Sequence, residues 1–276
     1  MVFNNAEIKE AADKIRRAKT VVITAGAGIG VDSGLPDFRG DHGFWNAYPV
    51  YKRLGLSFQE CANPEHFKNN PKMGWGFYGH RTELYRKTKP HKGFELLREW
   101  TKNIPHFIVT SNVDGHFQKA GFDPELVREI HGSINHLQCV RRSCGAGIWE
   151  NNESFDVDKQ MMAQIFPVCH NCGMASRPNI LMFRDVGWNA SRVDEQTDNW
   201  DKFWSSFVEK KPGTVVIEIG AGKFIPSIRN FSESLSEYDG AEVIRINPVD
   251  SDINNGISIH MGALAAINYI NEELTT

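Results

Sequence analysis

The sequence predicts an α/β fold, and three observations carry that prediction. Short β-branched runs alternate with helical patterns along the chain, the pattern of a parallel sheet. The first run, VVITA at 21–25, empties into a glycine cluster at Gly26, Gly28 and Gly30. Between His136 and Ser176 the composition changes, with four paired cysteines, an arginine pair and the polar stretch NNESFDVDKQ. The expected architecture is a Rossmann-like parallel sheet with two insertions, a helical module and a small cysteine-rich module.

The elements follow in chain order. Ile8, Ala11, Ala12 and Ile15 recur at helical spacing behind asparagines suited to capping, so an amphipathic helix opens the chain. The strand VVITA comes next. Glycines after it let the backbone bend sharply and approach a pyrophosphate, with amide groups facing the anion. An ordinary dinucleotide fingerprint would continue into a helix, a second strand and an acidic residue about 20 positions on. Here Pro36 interrupts, and DFRG follows with Phe44 and Trp45 close behind, so this segment is expected to leave the sheet as a loop over the ligand. From Asn63 to Trp100 the signals are helical. Asn63-Pro64 and Asn70-Pro71 both read as an N-cap followed by proline in the first turn. HFIVT before Ser111, ELVREI before His131, GTVVIEIG after Pro212 and AEVIRIN before Pro248 complete the sheet. The division expected is a large unit of residues 1–45, 89–136 and 177–276, a helical module at 46–88 and a cysteine-rich module at 137–176.

Composition bounds the function. At 276 residues with 41% hydrophobic and 24% charged residues, the chain can build a large core plus a satellite. A net charge of -3 gives no pull toward nucleic acid or an anionic membrane. No apolar run reaches the roughly 18 residues of a membrane span, and no basic-then-apolar leader opens the sequence. A cytoplasmic location is expected.

Cys139 and Cys144 form one pair and Cys169 and Cys172 the other. Two such knuckles suit tetrahedral zinc, with thiolates converging about 2.3 Å from the metal. Two disulfides or four separate thiols are the alternatives, and a missing secretory leader disfavours the disulfides. Cys61 lies apart and reads as a small buried apolar residue.

Further segments match one family in its order: TSNVDGHFQKAG from Thr110, EIHGS from Glu129, the four cysteines, RPNILMF from Arg177, GAGKFIP from Gly220 and RIN from Arg245. On these the chain resembles a sirtuin of divergent, bacterial type, one of the NAD-consuming protein deacylases and ADP-ribosyl transferases. The resemblance implies NAD as cosubstrate, a structural zinc on Cys139, Cys144, Cys169 and Cys172, and an acyl-lysine protein or peptide as partner. By resemblance His131 is the catalytic base and Asn112 contacts the nicotinamide ribose. Asp114 would hold the nicotinamide carboxamide with the backbone near Val113 and Ile29. Gly26, Ala27, Gly28 and Ser111 would lie along the cofactor, while Asp37, Phe38 and Arg39 would cover its reactive ribose. Gly220, Ala221 and Gly222 would take the adenosine half, with Lys223 as a phosphate partner or a solvated side chain, and Asn247 would hydrogen-bond the adenosine ribose.

The pattern departs from the family at several places. Ser111 stands for a glutamine, Gly30 for a serine and Phe117 for a histidine, and each change is expected to remove or shorten a polar contact to ribose or pyrophosphate. In LMFRD, Arg184 stands where the family has a small residue on the strand that pairs with the peptide, so a partly obstructed groove is expected. The leading function is NAD-dependent protein-lysine deacylation. The alternatives are ADP-ribosyl transfer or NAD hydrolysis on the same scaffold, and a module that senses NAD or ADP-ribose without turnover.

Overall fold

The computed structural model describes residues 5–37 and 40–276. Nine strands occur among them: β1 (Thr20–Ala25), β2 (His106–Thr110), β3 (Val127–Glu129), β4 (Gly132–Cys139), β5 (Ile148–Glu150), β6 (Ser176–Ile180), β7 (Thr214–Ile219), β8 (Glu242–Ile246) and β9 (Gly256–Ile259). Six form one parallel sheet in the order β3-β2-β1-β7-β8-β9. β1 and β7 are buried along their whole length, which is why they read as unbroken β-branched runs. Alternation splits their side chains between two cores. Val21, Ile23, Val215 and Ile217 pack against the helices Asn5–Arg17, Lys92–Thr101 and Ala263–Thr275. Val22 and Val216 pack on the other face against Trp200 and Phe203, from Ser191–Phe203, and Ile228 and Leu235, from Ser227–Asp239.

The strands called from sequence are present, with two differences. ELVREI pairs only over Val127–Glu129, because Pro124 opens a 3-10 turn whose cap is Asp123, accepting from the Glu125 N–H at 3.0 Å. The edge strand β9 has no alternating run long enough to mark it. The order places the switch in chain direction between β1 and β7, and in an open α/β sheet the crevice at the carboxyl ends of such a pair is the ligand position.

A second sheet, antiparallel, runs β5-β4-β6. It begins at Gly132 and ends at Ile180, beyond both ends of the 137–176 segment expected from composition. Its core is shared with the helical segment: Leu137, Val140 and Ala163 join Phe44, Tyr51, Phe67, Trp75 and Phe77. The long helix Pro71–Lys87 starts as expected, its Asn70 side chain accepting from the Met73 N–H at 3.3 Å. On it Trp75 stacks on Phe155 with ring centroids 4.6 Å apart. A Cβ at Gly76 would overlap the Met161 carbonyl oxygen, so glycine is required for this close contact.

Candidate active site

One cavity of about 470 Å³ opens at the carboxyl ends of β1, β2 and β7. Of the residues singled out in the sequence, Gly26, Ala27, Gly28, Asp37, Ser111, Asn112, Val113, Asp114, His131, Gly220, Ala221, Gly222 and Asn247 all line it. Phe38 and Arg39 lie outside the described residues.

The glycine turn is built differently from the expectation. A Cβ on Gly28 would sit 2.7 Å from the Gly220 Cα, and one on Gly26 2.7 Å from the Gly220 carbonyl oxygen. These glycines therefore let the turns after β1 and β7 press backbone to backbone. Their amides are also engaged: the Gly26 N–H donates to Ile219 at 3.0 Å, Gly28 to Gly220 at 3.0 Å and Ile29 to Gly26 at 3.2 Å. An open amide nest for a pyrophosphate is thus absent at these three residues. The segment also continues directly into a 3-10 helix, Ala27–Ser33, closed by Gly34 at φ 89° before Pro36 is reached.

Three further expectations shift. Ile29 is fully buried in the core, and its carbonyl bonds the His91 ring at 2.9 Å, so it does not reach the cavity wall. Gly30 also lies outside the wall, and an added Cβ would meet Leu35 at 3.3 Å. Phe117 packs on Phe94 and Phe122 in the core, so its exchange for histidine removes no cavity contact.

The polar residues are held firmly. The Asn112 amide donates to the Gly26 carbonyl at 3.1 Å, and its N–H donates to the Thr110 hydroxyl at 3.0 Å. Asp114 accepts from the His116 N–H at 2.9 Å, a turn cap that still leaves the residue on the cavity wall. Burial pushes its carboxyl up to about 6, against the pull of that N–H and of the Arg81 guanidinium. His131 follows β3, and Gly132 beside it has φ 81° where a Cβ would overlap the Asn179 carbonyl. Burial lowers the His131 pKa, opposed by a hydrogen bond to the Ser111 backbone. A ring N–H donating to that carbonyl leaves the second nitrogen as an acceptor in neutral imidazole.

Asn247 lies at the wall but its amide is already committed. It donates to the Ala221 carbonyl at 2.9 Å and accepts from the Val249 and Asp250 N–H groups at 3.0 Å each.

Sequence reading missed a second face of the cavity. Tyr78, Arg81 and Tyr85 project from Pro71–Lys87 into the wall at i, i+3 and i+7 spacing. Arg81 is buried, 6% exposed as a residue, and its guanidinium donates to the Tyr85 hydroxyl at 2.7 and 3.1 Å. Burial raises the phenol pKa values, that of Tyr78 to about 12, so the rings around this cation stay neutral. The available signal was a tyrosine and arginine stripe on one helical face.

Arg184 is exposed, outside the cavity wall, with φ 57°. Its neighbour Asp185 forms a buried ion pair with Arg177 and accepts from the Met182 and Gly187 N–H groups, which shapes the turn. Its exposed, left-handed position outside the cavity wall gives no support to the obstructed groove expected from the sequence. Arg184→Gly is expected to stabilise the fold by about 1 kcal/mol, roughly 2–4 °C in Tm. A thermal melt showing a lower Tm would contradict that account.

The four cysteine sulfurs lie within 4.8 Å of one another, with Cys139–Cys172 and Cys144–Cys169 each at 3.6 Å. Tetrahedral thiolates about 2.3 Å from zinc stand close to this far apart, so the donor set fits the metal. The Arg141 N–H donates to the Cys139 sulfur at 3.3 Å. His170 is exposed and packs edge-on against Trp149, apart from the cluster.

With this geometry in place, comparison with known proteins gives a consistent result. A model of the Sir2 family matches residues 26–203. An NAD-dependent protein deacylase of Aquifex aeolicus is 30% identical over 241 residues, covering 87% of this chain and 88% of its own. A mutant Sir2 homologue in complex with ADP-ribose aligns with a TM-score of 0.73 at 23% identity, over 96% of each chain. A Sir2 homologue in complex with NAD aligns at 0.71 and 24% identity, over 96% of this chain and 93% of that one. The chain belongs to the Sir2 family.

Proposed function

We propose that the chain is an NAD-dependent protein-lysine deacylase whose pocket favours an acyl group ending in a carboxylate. His131, Asn112 and Asp114 meet both glycine turns around one cavity, and that convergence carries the reading. Relatives named as protein deacylases favour deacylation over ADP-ribosyl transfer, NAD hydrolysis or sensing without turnover.

NAD supplies a ribose–nicotinamide bond whose cleavage makes the ribose carbon electrophilic toward the amide oxygen of an acyl-lysine. His131 is the base. Its lowered pKa keeps the ring neutral near pH 7, and the nitrogen not bonded to Ser111 takes the proton from a ribose hydroxyl. Asn112, clamped to Gly26, orients that ribose. Asp114 and the backbone of Val113 face the nicotinamide carboxamide, and Asp37 lines the same cavity. Gly220, Ala221 and Gly222 receive the adenosine half, and no Cβ contact closes Gly222 off. The dinucleotide rests on the large unit, with the 46–88 segment and residues Ile180, Leu181, Met182 and Phe183 forming the opposing side. The cytoplasm is the compartment proposed, because it keeps thiols reduced for zinc. Among the described residues no helix is long and apolar enough to cross a membrane.

The acyl preference follows from Arg81. Its guanidinium sits in the cavity wall beside the Tyr78 and Tyr85 rings and within electrostatic reach of Asp114, a cation that favours an anionic acyl end, and charge-assisted hydrogen bonds contribute about 1.5–3 kcal/mol. The wild-type protein is expected to turn over a succinyl-lysine peptide with kcat/KM at least about tenfold above the acetyl-lysine peptide. Arg81→Met should erase that preference while leaving acetyl turnover within severalfold. Equal loss on both peptides, in a variant with unchanged melting, would refute the assignment.

A further inference from the structure

We propose that Arg192 and Gln196, on the helix Ser191–Phe203, are positioning residues for the catalytic base His131. They act by clamping Glu129 at the end of β3; this rests on the deacylase reading above. β3 is an edge strand, paired on one side only, with Ile108, Val109 and Thr110 of β2. That inner side is satisfied, since the Ile130 N–H donates to the Thr110 carbonyl at 2.9 Å. On the open side the buried Glu129 N–H has no strand to receive it. The Gln196 side chain takes that place, accepting from it at 3.0 Å. Arg192, one turn earlier on the same helical face, donates to the Glu129 carboxylate at 2.6 Å.

The helix is a rigid reference for this clamp. Its Trp200 and Phe203 pack under the large sheet with Val22, Phe107 and Val216, so the end of β3 is fixed against the strands that lead into the glycine turns. Beyond the base, Gly132 at φ 81° and the His131 carbonyl, which accepts from the Leu181 N–H at 2.9 Å, hold the other side. Glu129, Arg192 and Gln196 line a separate cavity of about 660 Å³ and not the active-site cavity, so none of them touches the substrate. The Glu129 and Arg192 side chains are 2% and 19% exposed. A buried ion pair of this kind adds little net stability over apolar side chains of similar volume. What it supplies here is a single position for the strand end, where a shift of about 1 Å costs on the order of a hundredfold in rate.

Steady-state deacylation of an acyl-lysine peptide by the full chain, with ADP-ribose affinity and melting curves beside it, tests the clamp. Glu129→Leu combined with Arg192→Met removes both charges together, so no buried charge is stranded and the protein is expected to stay folded. Its kcat should fall at least about tenfold, while KM for NAD and ADP-ribose affinity stay within about threefold. In a His131→Ala background the same pair of substitutions should cost less than about twofold more, because residues that act through one group are not additive. Gln196→Met strands no charge either, and should lower kcat at least about threefold with the same split from KM. A folded double variant with wild-type kcat would overturn the proposal, as would a loss that is undiminished in the His131→Ala background. If the double variant does not fold, a wild-type kcat in Gln196→Met overturns it. A folded His131→Ala protein that deacylates at the wild-type rate would instead overturn the deacylase mechanism on which the proposal rests.

Discussion

His131→Ala is expected to lower NAD-dependent deacylation at least about a hundredfold while ADP-ribose binding stays near wild type. The ring belongs to the chemical step. It lies on the cavity wall between Ser111 and Gly132, anchored through one nitrogen, so its removal deletes a proton acceptor without disturbing the glycine turns. Its pKa is lowered, so the neutral base persists below the ordinary histidine value of about 6.5. Turnover should therefore hold steady from neutral pH down past that point and fall only as the imidazole takes up its proton. Asp114, at about 6, titrates nearby and needs its own control. Asp114→Asn should retain the acid limb if His131 owns it. A His131→Ala protein that is folded, binds ADP-ribose and deacylates at the wild-type rate would remove the base from the mechanism.

Strands and turns were the legible part of this chain because their causes are local. Val21 to Ala25 and Thr214 to Ile219 must be apolar along both faces to lie in the middle of a covered sheet, and that demand is written directly into the runs. The catalytic set was legible for another reason: His131, Asn112 and Asp114 each follow a strand that ends at the same crevice. What escaped is decided by contacts distant in sequence. Gly26 and Gly28 look like ligand glycines, yet Gly220, almost two hundred residues away, claims both the space of their side chains and the Gly28 amide. Asn247 carries the expected side chain, but Ala221 and the turn at Val249 and Asp250 consume its hydrogen bonds. Arg81 shows the converse. Helical spacing puts Tyr78, Arg81 and Tyr85 on one face, yet nothing local reveals that this face closes a cavity built by distant strands.

Removing one thiol from the cysteine cluster should unfold more than the cluster. Cys169→Ala is expected to lose zinc and to lower Tm by roughly 10 °C or more, because metal binding in such small modules is folding free energy. The segment that carries it shares one core with the helical side, where Leu137, Val140 and Ala163 are buried together with Phe44, Tyr51, Phe67, Trp75 and Phe77. Met161 presses its carbonyl against Gly76, and Phe155 stacks on Trp75, both on the helix that also carries Tyr78 and Arg81. Loosening the knuckles at Cys139, Cys144, Cys169 and Cys172 should therefore slacken the acyl side of the cavity before the dinucleotide side, which the large sheet supports separately. Deacylation should fall more steeply than ADP-ribose affinity in the variant at temperatures below its melting point. Cys61→Ala provides the contrast, since Cys61 is buried apart from the cluster and its thiol is pushed up to about 12 by burial. That protein should keep one zinc per chain. Metal analysis finding no zinc in wild-type protein prepared without chelator, or full zinc in Cys169→Ala, would show that the four sulfurs serve some other purpose.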